Sequence, residues 1–122
     1  MSKAYDFIKE CGVFYVLTVS GNSPVGRPFG AIMEYNDRLY ITTADTKEVY
    51  IQIKENASIQ ILALKPGTRN WIRLSGIAVE TTDLLLKQMM LDECPVLSKH
   101  YASADAPHYV LLEVAVTHAE LN

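Results

Sequence analysis

The stretch Arg27-Pro28-Phe29-Gly30 interrupts a run of strand-forming residues, 25–35. Proline donates no ladder hydrogen bond, so it is largely confined to sheet edges, strand starts and bulges. Glycine inside a strand commonly marks a bulge or a place where a ligand approaches the backbone. The stretch therefore predicts backbone that is not fully used by a sheet and is free to contact a ligand.

Strands and helices are predicted on both sides of this stretch. Apolar and β-branched runs separated by turn residues predict strands, and apolar residues spaced three or four apart predict helices. The predicted strands are 13–19, 25–35, 39–43, 57–64, 70–80 and 108–119, and the predicted helices are 2–10, 45–56 and one that starts at 81–83 and ends at Cys94-Pro95. Short turns join the first three strands, so these must be antiparallel. Six strands with two interrupting helices predict a mainly β (α+β) fold, a small antiparallel barrel.

Length, composition and charge limit the classes of protein to which the chain can belong. The chain has 122 residues, 49% of them hydrophobic, which fits one domain, 1–122, with a buried core. A net charge of −3 gives no general attraction to nucleic acid or to an anionic membrane. The N-terminus lacks the features of a secretory signal, and no apolar run is long enough to cross a bilayer. We therefore expect a cytoplasmic protein that binds neither nucleic acid nor membrane.

Cysteine and histidine residues provide no recognisable catalytic or metal-binding motif. Cys11 and Cys94 are far apart, and we expect both to be reduced thiols. His100, His108 and His118 are spaced unlike any metal motif, although the segment 99–101 could line the mouth of a cleft. A GxSxG nucleophile motif is also absent from the sequence. No metal site is predicted, hydrolysis has no support, and the catalytic residues stay unassigned.

The start of the second predicted helix has the features of a phosphate site. Asp45 stands three residues before Glu48, which is the spacing of a capping box. Lys47 would then lie in the first turn, where the helix dipole favours negative charge. A bound anion would compensate for the positive charge that the lysine adds there. Backbone N–H groups, hydroxyls and a lysine can bind phosphate together. The hydroxyls nearby are those of Thr42, Thr43 and Thr46. A solvated lysine, partly neutralised by the two carboxylates, is the alternative.

The long strand predicted over 70–80 has two different faces. Its aliphatic face carries Ile72, Leu74 and Ala78. If that face points to the core, Trp71 and Arg73 point outward together, an arrangement typical of contact with a partner subunit or a planar ligand. The alternative is an arginine stem packed over the indole on an exposed sheet face.

In the order and spacing of these segments, the chain resembles the pyridoxamine 5'-phosphate oxidase-related family, the FMN-binding split barrels. The likeness rests on RPFG at 27–30, TTxxTK at 42–47 and WIRLSG at 71–76, and it covers nearly the whole chain. It implies a six-stranded antiparallel split β-barrel with two to three short helices. It also implies a homodimer with two FMN sites at the subunit interface.

The resemblance assigns roles to individual residues as well. The implied cofactor-binding residues are Arg27, Pro28, Phe29, Gly30, Thr42, Thr43, Thr46, Lys47, Trp71 and Arg73. Residues 27–30 would hold the phosphate–ribityl arm and the ring edge of FMN. The threonines and the lysine of 42–47 would form the phosphate cradle. Trp71 falls where the family presents a side chain from the second subunit, and Arg73 lies close behind it.

The family resemblance implies redox chemistry, with alternatives. The sequence has no counterpart of the arginine-containing substrate segment of the name-giving oxidases, so it is more similar to the short general-stress and nitroimidazole-reductase-like members. The implied function is an FMN-dependent oxidoreductase that passes electrons from a reduced nicotinamide or similar donor to a small organic acceptor. One alternative is a non-catalytic binder of FMN, haem or deazaflavin in the same cleft. Another is a structural dimer without a cofactor.

Overall fold

A computed structural model describes residues 2–122, which form one seven-stranded antiparallel sheet, three α-helices and a short 3₁₀ helix. The strands are β1 (Phe14–Ser20), β2 (Ser23–Phe29), β3 (Ile32–Tyr35), β4 (Arg38–Ala44), β5 (Ser58–Leu64), β6 (Trp71–Thr81) and β7 (Tyr109–Leu121). The helices are α1 (Lys3–Cys11), α2 (Glu48–Glu55) and α3 (Leu84–Glu93), and the 3₁₀ helix is Pro95–Lys99. The mainly β fold class expected from the sequence is confirmed.

The order of the strands requires the sheet to curl into a barrel. The order is β2-β1-β5-β6-β7-β4-β3, so β2 and β3 stand at opposite ends of the sheet. In a flat sheet, six strand spacings of about 4.8 Å would separate these ends by about 29 Å. The chain from Phe29 to Ile32 spans three Cα steps, at most about 11 Å. The two ends must therefore approach each other. There β2 is paired with β1, and β3 is paired with β4, so the barrel is split along a seam between β2 and β3.

The sequence prediction of one strand over 25–35 was wrong, and with it the count of six strands. The run is divided into β2 and β3 at Gly30 and Ala31. Pro28 is the penultimate residue of β2, where it pairs with Tyr15 of β1. The division therefore lies where the proline and the glycine interrupt the strand pattern, and β3 continues on a different partner, β4.

Apolar side chains fill two separate cores, on either side of the sheet. The interior of the barrel is closed by α1 and α2, whose Ile8 and Val49 belong to the larger core. The smaller core lies between the outer side of β3 and β4 and the helices that follow β6, and it includes Tyr40, Met90 and Leu97. The smaller core fixes the 3₁₀ helix against the end of the barrel.

The two faces of β6 and the state of both cysteines agree with the sequence analysis. Ile72, Leu74 and Ala78 are buried, while Trp71 and Arg73 are partly exposed on the opposite face of β6, as expected. Cys11 and Cys94 are both free thiols, also as expected. None of the helices in residues 2–122 has the length and apolar character needed to cross a membrane.

Candidate functional site

A cavity of about 470 Å³ lies at the seam of the barrel. Its volume falls within the range of roughly 300–1,000 Å³ that is typical of small-molecule sites. Four segments form its wall, namely the β2–β3 connection, the end of β4, the start of α2 and the 3₁₀ helix. The lining residues are Arg27, Pro28, Phe29, Gly30, Ala31, Thr42, Thr43, Lys47, Val49, Val96, Leu97 and His100.

Seven of the ten residues that the sequence singled out lie around this one cavity. They are Arg27, Pro28, Phe29, Gly30, Thr42, Thr43 and Lys47. The three others do not line it. Thr46 is exposed in the turn before α2, and Trp71 and Arg73 lie on the outer face of β6. The structure thus brings RPFG and most of TTxxTK together around the cavity, and it places Trp71 and Arg73 of WIRLSG on a different surface of the barrel.

The guanidinium of Arg27 joins β1 to α2. Its Nη1 donates to the carbonyl oxygen of Val16 at 3.2 Å and to Oγ1 of Thr18 at 2.9 Å. Its Nη2 donates to Oε1 of Gln52 at 2.7 Å, and the hydroxyl of Thr18 donates to the same oxygen at 2.5 Å. Thr18 and Gln52 are both buried. Every acceptor bonded to the guanidinium is neutral, so its charge is not directly paired with a carboxylate.

Burial lowers the pKa of Arg27 because it removes water from the charged guanidinium, and the negative charge of Glu48 opposes this effect. A partly desolvated cation without a bonded carboxylate is stabilised by any anion that binds beside it. Lys47 adds a second positive charge to the cavity wall and forms no ion pair with another residue in the described part of the chain. No lining residue described is Asp or Glu. The cavity is therefore electropositive.

The start of α2 differs from the capping box that the sequence predicts. The helix begins at Glu48, and its N-cap is Lys47, whose side chain makes no capping hydrogen bond. Asp45 is not the cap, because its Oδ1 lies 2.7 Å from Nδ1 of His108 and its backbone N–H donates to the carbonyl of His108. The prediction failed since this contact joins residues that are far apart in the sequence. Without a side-chain cap, N–H groups of the first turn stay available to an anion.

Thr43 carries an unsatisfied hydroxyl at the cavity wall. Its Oγ1 is the only buried side-chain nitrogen or oxygen atom in residues 2–122 without a hydrogen-bond partner. An unpartnered buried polar group costs about 1–3 kcal/mol. Since Thr43 lines the cavity, a ligand packed against this wall could supply the missing partner.

Five lining residues were not predicted as site residues: Ala31, Val49, Val96, Leu97 and His100. The sequence contained a signal for His100, since segment 99–101 was considered for the mouth of a cleft. It contained none for Val96 and Leu97, because the position of the 3₁₀ helix depends on packing in the smaller core. These residues add an apolar wall and an imidazole to the electropositive cavity.

Trp71 and Arg73 form a second surface on the outside of the barrel. Together with Leu62 and Leu64 they surround a cavity of about 260 Å³. The guanidinium carbon of Arg73 lies 5.1 Å from the centroid of the indole, and Nη2 donates to Oε2 of Glu120 at 2.7 Å. Within one chain, the arginine thus packs over the tryptophan on a sheet face, which is the alternative that the sequence left open.

A family model and several solved structures are similar to this chain over nearly its whole length. The family model for pyridoxamine 5'-phosphate oxidase matches residues 2–122. A NimC/NimA-family protein from Clostridium acetobutylicum is 32% identical, with 98% of this chain and 89% of that chain covered and a TM-score of 0.86. Two more distant structures share the fold. General stress protein 26 from Bacillus anthracis is 18% identical (96% and 88% covered, TM-score 0.80), and an FAD-binding protein from Mesorhizobium loti is 15% identical (99% and 94% covered, TM-score 0.70). No curated protein sequence matches the chain.

Proposed function

Because this chain belongs to the pyridoxamine 5'-phosphate oxidase family, we propose that it is a homodimeric flavoprotein that binds FMN in the cavity at the barrel seam and acts as an oxidoreductase. The observation that carries this proposal is the electropositive cavity, where Arg27 is bonded only to neutral acceptors and Lys47 is the N-cap residue of α2. FMN combines a phosphate with a flat ring system. The residues present fit both parts.

The phosphate would bind at the start of α2. Lys47 supplies a positive charge there, and the first turn of α2 supplies N–H groups that no side chain caps. Thr42 and Thr43 lie near the end of β4 and contribute hydroxyls, one of them the unpartnered Oγ1 of Thr43. Arg27 provides a second cation that is held in place by its own hydrogen bonds. This set of groups is suited to a dianion.

The ring would lie along the β2–β3 connection. Pro28 has no N–H to leave unpaired, and a Cβ placed on Gly30 would meet no atom within 4 Å, so the protein itself leaves space there. Phe29 and Val49 give the wall an apolar character that suits a flat aromatic ligand. When bound, the flavin itself supplies the electron-transfer chemistry. The chain's part is to bind the cofactor, orient it and shield one side of it from water.

The homodimer would form through the outer face of β1, β5 and β6. In the register of these strands Tyr15 stands beside Leu62, and Leu64 stands beside Trp71. Tyr15 is 47% exposed and Leu64 is 55% exposed. Contiguous exposed apolar patches mark interaction surfaces, and tryptophan and arginine are typical of their centres. A twofold axis would pair this patch with itself and bring Trp71 of each subunit near the partner's cofactor, as the family resemblance implies.

Purification tests the proposal directly. We expect freshly purified protein to be yellow, with the absorption spectrum of oxidised flavin, and to release a molecule with the mass of FMN on denaturation. Addition of a reduced nicotinamide nucleotide should bleach the spectrum, and a small organic acceptor should restore it. Binding of FMN without turnover with any donor and acceptor would support the non-catalytic alternative. A colourless protein that binds no FMN on titration would overturn the proposal.

A further inference from the structure

His100 lies on the wall of the proposed flavin cavity, but binding of the cofactor as outlined gives it no role. It follows the 3₁₀ helix directly, and its backbone N–H donates to the carbonyl of Leu97 at 3.0 Å. The imidazole is exposed and has no hydrogen-bond partner among residues 2–122. An imidazole on a cavity wall with its ring nitrogens unused is available to a ligand.

The backbone that carries His100 is held in a defined position. Leu97 is buried in the smaller core, and it also accepts the N–H of Tyr101 at 2.9 Å. The ring of Tyr101 stacks on that of Tyr109, with centroids 4.7 Å apart, and its hydroxyl donates to the carbonyl of Thr43 at 3.4 Å. His100 is therefore anchored between two fixed residues and tied to the end of β4. The fold therefore sets where the backbone presents the imidazole on the cavity wall.

The charges around the cavity favour an anionic ligand. The ionisable side chains on its wall are Arg27, Lys47 and His100, and the wall described has no carboxylate. Of the acidic residues nearby, Asp45 is bonded to His108, while Glu48 faces the charge of Arg27. Arg27 and Lys47 belong to the phosphate end in the proposed function. His100 is left as the ionisable group on the wall of the 3₁₀ helix, next to the apolar Val96 and Leu97.

We propose that His100 binds the electron acceptor, and that this acceptor is a small molecule with an apolar body and a carboxylate. An imidazole donates an N–H to an oxygen in either protonation state. Val96 and Leu97 provide apolar contact for the body of the molecule beside that donor. This role rests on the proposed function, because an electron acceptor must bind beside the flavin that reduces it.

The test uses the FMN-loaded protein with benzoate as the probe and benzamide as its neutral counterpart. Binding of each is followed by calorimetry and by the change in the visible flavin spectrum. The variants are His100→Ala and His100→Gln, which keeps an N–H donor. Lys99→Ala is the matched control, because it removes an exposed cation next in sequence that does not line the cavity. Affinity for FMN and melting temperature are measured for every variant.

We expect the parent protein to bind benzoate more tightly than benzamide, and His100→Ala to weaken benzoate binding by roughly tenfold or more. His100→Gln should retain part of that affinity, and Lys99→Ala should change it less than twofold. FMN affinity should stay the same in all three variants. FMN binding by the parent, together with benzoate binding that is absent or unaffected by His100→Ala, would overturn this role alone. If the parent binds no FMN, the proposed function itself fails, and that result precedes any addition of benzoate.

Discussion

Gly30 shows at the level of one residue how the chain leaves room for a ligand. It lies on the cavity wall where the chain passes from β2 to β3. Its φ is not in the left-handed region, and a Cβ built on it would touch nothing within 4 Å. Neither backbone strain nor packing within the chain therefore requires a glycine here. We attribute the glycine at this position to a ligand that fills the open space beside it.

Gly30→Val tests this explanation. We expect the variant to keep the melting temperature of the parent, because nothing in the chain is displaced, and to lose at least tenfold in affinity for FMN, because the new side chain occupies ligand space. The measurements are thermal unfolding and FMN titration. Gly26→Val is the control, since a Cβ at Gly26 makes an ordinary contact of 3.5 Å with Leu17 and Gly26 does not line the cavity. Equal FMN affinities of Gly30→Val and Gly26→Val would contradict the assignment.

Residues with a local signal could be placed from sequence, and residues without one could not. Pro28 and Gly30 break a strand pattern, and Lys47 follows a strand directly, so each suggested backbone or charge available to a ligand. Leu97 carries no such signal, because it reaches the cavity only through the packing of the 3₁₀ helix on the barrel. Trp71 was placed correctly on the outer face of its strand, while its approach to a cofactor needs a second subunit and stays a prediction.

At the level of elements, the partly buried hydrogen bonds of Arg27 hold α2 against the barrel. Through this one guanidinium, β2 contacts both Thr18 in β1 and Gln52 in α2. Because Lys47 is the N-cap of α2, the position of the proposed phosphate site depends on this contact. Arg27 thus supports the site through structure as well as through its charge.

Arg27→Lys separates these two contributions. A lysine keeps the charge but cannot donate to Val16, Thr18 and Gln52 at once in the geometry of a guanidinium. We expect a loss of about 1–3 kcal/mol in the free energy of unfolding, measured in urea, because the buried Thr18 and Gln52 each lose a hydrogen bond from Arg27. FMN affinity should also fall, since α2 is held less firmly. Arg38→Lys is the control, because Arg38 pairs with Glu113 at the surface, where ion pairs contribute about 0–1 kcal/mol. If both variants unfold like the parent, the hydrogen bonds of Arg27 do not hold α2.

Elements were predicted well where their signals are local and poorly where distant contacts decide. Strands 57–64 and 70–80 were predicted within one residue at either end. The start of α2 was misplaced because Asp45, which looks like a helix cap in the sequence, contacts His108 instead. The strand-forming residues on both sides of RPFG predict one strand over 25–35, although the two halves pair with different strands.

At the level of the whole molecule, closure of the sheet creates the site. The curl that brings β2 and β3 together also brings the β2–β3 connection beside the end of β4 and the start of α2. The antiparallel barrel could be predicted from the number and spacing of strands. The order of the strands could not, because it depends on pairing between β1 and β5, and between β4 and β7, over long stretches of chain.

Trp71→Ala tests the proposed assembly. We expect the parent to sediment as a dimer and the variant to dissociate at concentrations roughly thirtyfold higher, the scale for loss of a central interface aromatic. Analytical ultracentrifugation across a dilution series measures this. Ile51→Ala is the control, because Ile51 is a highly exposed apolar residue of α2 and lies outside the outer face of β1, β5 and β6. A parent that stays monomeric, or a Trp71→Ala dimer as stable as that of Ile51→Ala, would contradict the interface.

The central claim is that the cavity binds a flavin phosphate through Lys47 and the start of α2. The most direct measurement compares the dissociation constants of FMN and riboflavin, which lacks the phosphate, for the parent and for Lys47→Ala. We expect the parent to prefer FMN strongly, and Lys47→Ala to lose about 1.5–3 kcal/mol of FMN binding while riboflavin binding stays unchanged. Equal affinity of the parent for the two ligands, or a preference for FMN that survives Lys47→Ala in full, would contradict the claim.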